Sequence, residues 1–249
     1  MSPVRGALAP GYVLHARPWR DTSLLVEALT ADAGRIGLVA RGVRRRGSRS
    51  RPLLQPFQPL LLAWSGRGEL RTLTSVDVEA WRAPPAGEAL LAGFYCSELV
   101  LRLLAREDPN PAVFTAYDAA LASLAAAEPI EPALRRFELE LLDALGLAPP
   151  LAVDVASGEP VAADVDYDFW IEHGPARALG PRGGAALRLP GSHLQAMAVR
   201  ALDDRDVLRS ARRLLRASLA PHLGNRPLQS RALYRSMYGA GSGRSAAGG

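Results

Sequence analysis

The sequence contains no lysine, and all 30 of its basic residues are arginine. Without lysine the phosphate-cradling G-x-x-x-x-G-K-[ST] loop cannot exist, so an ordinary P-loop nucleotide hydrolase is excluded. Cysteine is almost absent too. Cys96 stands alone, so neither a disulfide framework nor a cysteine cluster for zinc can form. Its place within LLAGFYCSELVLRLL predicts a buried thiol that packs like a small hydrophobe. There is no G-x-S-x-G elbow and no H-E-x-x-H motif, and His15, His173, His193 and His222 show no ligand spacing. No uninterrupted apolar run approaches the roughly 18 residues of a membrane-spanning helix. The opening residues MSPVRGALAP lack an apolar signal core, so a cytoplasmic protein is expected.

Two acidic runs invite a metal reading and lose it on spacing. Asp164, Asp166 and Asp168 alternate, but a calcium-binding EF-hand loop needs glycine at its sixth place and glutamate at its twelfth. Those places hold Phe169 and Pro175, and a surface loop is the simpler expectation. Asp203, Asp204 and Asp206 open a predicted helix, where acids meet the positive end of the helix dipole. No metal and no cofactor are expected.

What is present is a globular composition with an uneven charge. The 249 residues are 48% hydrophobic, enough for one large or two modest domains. Net charge is +5 and the isoelectric point about 10.0. Residues 1–51 carry ten arginines against Asp21, Glu27 and Asp32, and residues 200–249 carry ten against Asp203, Asp204 and Asp206. The stretch between is acidic, with nineteen carboxylates against ten arginines. Two basic ends around an acidic centre are the footprint of a polyanionic partner.

The first eighty residues read as β. GYVLHARPW, TSLLVEALT, GRIGLVARGV, FQPLLLAW and ELRTLTSVDVEAW are strand candidates. Asp32-Ala33-Gly34 and Ser65-Gly66-Arg67-Gly68 are the turn signals between them. Five short strands fit a small barrel such as an OB-fold, although spacing alone does not separate OB from other small barrels. After Pro84-Pro85 the character turns helical, with helices expected over 87–106, 111–127, 132–145, 192–202 and 204–220. In the third, Leu134, Phe137, Leu141 and Leu145 form one apolar stripe, Arg136 and Glu140 can pair across a turn, and Gly146 ends the helix. Residues 150–190 read as irregular, with a possible hairpin around YDFWIEHGP. The organisation expected is a barrel over 1–82, a mainly helical domain over 83–238 and a disordered tail over 239–249.

Two constellations carry binding chemistry. Arg41, Arg44, Arg45, Arg46, Arg49 and Arg51 crowd a loop joining two barrel strands, where OB-folds present nucleic-acid-binding loops. Guanidinium forks suit phosphate oxygens and their planes stack on bases. Arg35, on the strand that leads into the loop, belongs to the same candidate set. Trp19 is a candidate stacking platform, while Phe57 and Trp64 can equally be core. In the helix 205–220, Arg205, Arg209, Arg212 and Arg216 make a cationic ridge, and Leu208, Ala211, Leu215 and Leu219 make an apolar ridge beside it. An apolar groove edged by guanidiniums would suit a peptide bearing acids and a hydrophobic end; the plainer reading is a core face beside a solvated face.

Taken together, VLHARPWRDTSLLVEALTADAGRIGLVARGVRRRGSR followed by LQPFQPLLLAWSGRGELRTL resembles the N-terminal barrel of the RecO family, and ALRRFELELLDALG and LGNRPLQSRALYR resemble that family's later segments. Each fragment is a weak pattern, and their order and separation carry the resemblance. It implies an α+β chain, with an N-terminal five-stranded OB-fold barrel followed by a mainly helical C-terminal domain. It implies a non-enzymatic recombination mediator that binds single- and double-stranded DNA, anneals complementary strands and helps load the recombinase RecA onto DNA coated with single-strand-binding protein (SSB). The partners it implies are RecR, the acidic and apolar-ended C-terminal tail of SSB and, indirectly, RecA, with no membrane. On the resemblance, Arg135 and Arg136 join Leu208, Arg209, Arg212, Leu215 and Arg216 as candidates for holding that tail. Many relatives carry a four-cysteine zinc module where this chain has VDVASGEPVAADVDYDFW, so it resembles the zinc-free branch. Two other classes stay open: a metal-dependent nuclease, for which the basic segments lack convergent carboxylates, and an OB-fold RNA-binding factor of translation or ribosome assembly.

Overall fold

The computed structural model describes residues 8–180 and 187–238; the expected tail over 239–249 lies outside them. In chain order the elements are β1 (Ala9–Trp19), β2 (Ser23–Thr30), β3 (Gly34–Ala40), β4 (Leu60–Ser65), β5 (Leu70–Val78), α1 (Glu88–Leu103), α2 (Pro111–Ala125), α3 (Ile130–Ala144), β6 (Asp166–Trp170), β7 (Gly174–Arg177), β8 (Leu187–Pro190), α4 (Gly191–Ala198), α5 (Arg205–Leu223) and α6 (Gln229–Tyr238). By compactness they fall into two units, Pro129–Arg226 and the remainder of the chain.

In the first unit β1 to β5 close into a barrel of order β1-β2-β3-β5-β4. Only the β3–β5 pair, with Gly37 opposite Leu70, is parallel. That closure is the order of an OB-fold, and it leaves no open sheet edge. Alternate residues Val26, Ala28, Ile36, Leu38, Ala40, Leu60 and Leu62 point inward, joined by Val43 and Leu54 from the β3–β4 connection. A bulge between Val13 and His15 breaks the alternation of β1. It lets Val13 and Ala16, three residues apart, both face the barrel core, while Tyr12 packs outward against the rings of Phe114 and Tyr117 at 5.7 and 5.3 Å. There the Tyr12 hydroxyl donates to Asp118, and Arg82 donates to that same carboxylate at 2.9 Å. Phe57 is core, buried to 2%, with its ring against Gly93 and Phe94 of α1; Trp64 is half-buried at the barrel core.

The β2–β3 turn rests on a glycine. Gly34 has φ +65°, and a Cβ there would collide with the Asp108 carbonyl. The neighbouring Glu107 N–H donates to the Arg35 carbonyl at 2.9 Å. Asn110 caps α2 by accepting from the Val113 N–H at 3.1 Å, with Pro111 in the first turn. Helix α6, which the sequence pattern did not announce, packs on α1. Its first N–H groups, from Gln229 and Ser230, donate to the Glu98 carboxylate of α1 at 2.9 and 3.0 Å.

The second unit pairs α3 with α5 and sets α4 and the sheet β7-β6-β8 beside α5. The segment expected to be irregular thus holds a three-stranded sheet. Its β6–β7 pair is the hairpin expected around YDFWIEHGP, β8 is the strand not expected, and Tyr167, Phe169 and Leu189 anchor the sheet in the core. Asp168 crosses it, accepting from the Arg188 guanidinium at 3.0 and 2.8 Å. Helix α5 runs to Leu223, through Pro221, three residues beyond the expected end and at the cost of the bond a proline nitrogen cannot donate. Asp204 caps it, accepting from the Asp206 and Val207 N–H groups. The α3 stripe also differs from expectation: Leu134 and Leu145 are only half-buried, whereas Phe137, Leu139, Leu141 and Leu142 are fully inside.

Candidate nucleic-acid interface

The barrel positions one cationic cluster. The connection after β3 re-enters the barrel core at Val43 and Leu54, so the residues between are held outside as a turn-rich loop. Arg41, Arg44, Arg45, Arg46, Arg49 and Arg51 are all exposed on it, and no carboxylate lies between Arg41 and Pro59. The β1–β2 turn, Arg20 to Thr22, lies against this loop. The Arg44 N–H donates to the Thr22 carbonyl at 2.9 Å, and the Arg44 Nη1 donates to the carbonyls of Arg20 and Asp21 at 3.2 and 3.3 Å. The turn adds Arg17 and Arg20, both exposed. The Arg17 guanidinium lies over the half-buried Trp19 ring, 5.9 Å from its centroid. Among the described residues none of these guanidiniums is in an ion pair. Clustered cations with almost no local counter-charge attract an extended polyanion.

Arg17 and Arg20 escape the sequence reading because they sit in a hairpin, remote in sequence from the basic loop; the available signal was the ARPWRD stretch itself. Arg35 belongs elsewhere. It pairs with Glu27 at 3.3 Å and donates through Nε to the Leu104 carbonyl at 2.9 Å. Burial first, and then Arg106 nearby, depress its affinity for a proton, with Glu27 opposing. Its guanidinium is thus tied into the fold, and the exposed cluster forms without it.

The second constellation changes more. The apolar ridge of α5 faces the core: Ala211 and Leu215 are completely buried and Leu219 is 1% exposed. It is therefore not one wall of an open groove, because α3, α4 and β8 pack against α5. Leu208 alone reaches a surface depression of about 300 Å³, lined also by Glu131, Arg205, Asp206 and Arg209. The cationic ridge is exposed, with Arg205, Arg213 and Arg216 outside any ion pair among the described residues. Arg209 pairs with Asp206, and Arg212 with Glu131 at 2.8 Å. Arg135 is not a rim residue. It is buried with Glu138 one turn away at 3.0 Å, since a helix face turned inward carries its charges in as a pair. Arg136 is half-exposed and acts electrostatically on Glu140; burial raises the Glu140 carboxyl above its ordinary range while Arg200 and Arg136 oppose the rise.

Among the described residues no three His, Cys, Asp or Glu side chains converge on a metal-sized site, and no helix is long and apolar enough to cross a membrane.

Comparison with known proteins agrees along the chain. Residues 5–81 match the family model "Recombination protein O N terminal", and residues 85–232 match "Recombination protein O C terminal". The DNA repair protein RecO of Alkalilimnicola ehrlichii is 48% identical over 238 residues, covering 95% of this chain and 94% of its own. That of Nitrosococcus oceani is 45% identical over 230 residues, covering 92% and 93%. That of Azoarcus sp. is 45% identical over 223 residues, covering 88% and 91%. The chain belongs to the recombination protein O family.

Proposed function

We propose that this member of the RecO family serves DNA repair as a non-enzymatic mediator, which binds single- and double-stranded DNA, anneals complementary strands and assists RecA onto SSB-coated DNA. The supporting observation is the unpaired arginine cluster on the β1–β2 turn and β3–β4 loop. Guanidiniums there neutralise backbone phosphates, and Trp19 offers a face to an unstacked base. Annealing needs the repulsion between two phosphate backbones suppressed, which cationic surfaces can do by holding both strands or by bridging two protein-bound strands. Protein bound in this way works without making or breaking covalent bonds, in a cytoplasmic, nucleoid-associated setting.

For the SSB tail, the depression beside Leu208 with Arg205 and Arg209 on its rim is the place that suits an acidic, apolar-ended peptide. Asp206 and Glu131 already pair with Arg209 and Arg212, so an incoming tail would compete with them. RecR is the further partner in this reading. The deciding experiment is annealing of complementary oligonucleotides coated with SSB, with and without the protein. Acceleration with intact SSB and none with tail-deleted SSB is expected; no acceleration over SSB alone would refute the mediator role.

A second reading rests on the same cluster, because guanidinium forks recognise phosphate regardless of the sugar. An OB-fold RNA-binding factor would retain its affinity when DNA oligomers are challenged with RNA of the same sequence. A DNA-repair protein should let RNA compete poorly.

A further inference from the structure

The basic loop does not hang freely from the barrel, and one of its own arginines is the reason. Val43 and Leu54 fix its two ends in the barrel core. Between them, among the described residues, the backbone otherwise makes local bonds, such as Arg45 N–H to the Gly42 carbonyl at 3.0 Å, Ser48 N–H to the Arg45 carbonyl at 3.2 Å and Leu53 N–H to the Ser50 carbonyl at 3.2 Å. The exceptions all belong to Arg44. Its N–H reaches the Thr22 carbonyl, and its Nη1 is shared between the carbonyls of Arg20 and Asp21. These are the turn's own backbone acceptors, so the bonds hold whatever side chains the turn carries.

Arg45, Arg46, Arg49 and Arg51 make no comparable side-chain bond among the described residues. The arginines of the loop therefore divide into one that is engaged with the protein and several that face solvent. With Nη1 committed to the turn, the Arg44 guanidinium is held in place by the protein, whereas its neighbours are not.

We propose that Arg44 is a positioning residue, which locks the β3–β4 loop onto the β1–β2 turn so that Arg17, Trp19 and Arg20 form one continuous binding surface with Arg45, Arg46 and Arg49. This rests on the nucleic-acid-binding reading above. The partner is a single strand of nucleic acid, tracked along its phosphates from the loop to the turn, where Trp19 stacks. Preorganisation of this kind lowers the ordering cost of binding rather than adding a contact.

The experiment compares Arg44→Gln with Arg45→Gln and Arg46→Gln in the full chain. All three lose the same charge, so a purely electrostatic role predicts identical behaviour. Affinity for a fluorescent oligothymidylate is measured across a salt series. A single lost phosphate contact lowers the log–log slope by about 0.7 for single strands. Arg45→Gln and Arg46→Gln should show no more than that. Arg44→Gln should lose clearly more slope and roughly tenfold or more in affinity, because several neighbouring contacts are misplaced together.

A second readout needs no ligand. Trypsin cuts exposed, mobile arginine loops. The bonds after Arg45, Arg46 and Arg49 should be cleaved several-fold faster in Arg44→Gln than in the parent, with the thermal midpoint of the whole chain unchanged. Equal slopes and equal affinities in the three variants, or an unchanged rate of loop cleavage, would overturn the proposal. Absence of salt-dependent binding by the parent would instead sink the binding reading, while the tryptic rates would still decide whether Arg44 holds the loop.

Discussion

Glu98 sits on α1 yet does for α6 what an N-cap residue does for its own helix. Its carboxylate accepts from the Gln229 and Ser230 N–H groups and the Ser230 hydroxyl, and Arg102 pairs with it at 3.0 Å while donating to the Pro227 carbonyl. Burial alone would raise this carboxyl, but the Ser230 and Gln229 donors and Arg102 outweigh it and hold it below its ordinary 4.5. A depressed acid contributes stability above its unfolded pKa and loses it as pH falls through the folded one. The protection of residues 229–238 against hydrogen exchange, relative to intrinsic rates, should therefore hold near neutrality and fall as pH drops through that depressed value. Glu98→Gln should speed that exchange at neutral pH, by the equivalent of about 1 kcal/mol, a typical capping loss. Unchanged protection in the variant would contradict the capping role. Gly34 is a second single-residue constraint. Replacing it with alanine imposes both the left-handed backbone and the clash with Asp108, and should lower stability in urea melts by about 1–3 kcal/mol.

At the scale of elements, α5 separates two readings that its pattern allowed. Leu215 is entirely buried, so Leu215→Ala should destabilise the chain by about 2–5 kcal/mol. A variant with normal stability and weakened peptide binding would mean that the leucine faces a partner after all. Reversing Arg212 and Arg216 to glutamate should leave the melting temperature nearly unchanged and weaken an SSB-tail peptide more than a naked oligonucleotide. The opposite order would make α5 a DNA surface. The barrel strands were legible because each is bounded by a turn signal and most alternate against one core. Of the sheet β7-β6-β8 the hairpin β6–β7 was legible around YDFWIEHGP, but β8 was not, since a strand of four residues in Gly- and Pro-rich sequence offers no period to detect. Helix α6 is ten residues long and owes its start to a carboxylate far away in sequence, which no local pattern reports. The basic loop was readable as charge. What the sequence could not say is which arginines are engaged: Arg35 with Glu27 and the Leu104 carbonyl, Arg135 with Glu138, Arg44 with the turn. Each of these partners is set by tertiary packing or helical phase, and the charge pattern is the same with or without it.

At the scale of the whole molecule, the two arginine-rich ends and the acidic middle make association with nucleic acid a matter of ionic strength. Replacing Arg44, Arg45 and Arg46 together with alanine should flatten the log–log salt dependence for single strands by more than about 1.4, the two phosphates' worth of Arg45 and Arg46 at about 0.7 each, because the loss of Arg44 misplaces the neighbouring contacts as well. An unchanged slope would remove the loop from the interface. The return of α6 to α1 has a consequence for how the chain is made. Residues 129–226 are interposed between two stretches that build the same compact unit. A growing polypeptide can close its barrel early, but the face of α1 that receives α6 must wait, with Glu98 and Tyr95 lacking their α6 partners, until residues 129–226 and α6 itself have been made. The interposed unit is then free to fold first, and the unit begun earliest is the one finished last.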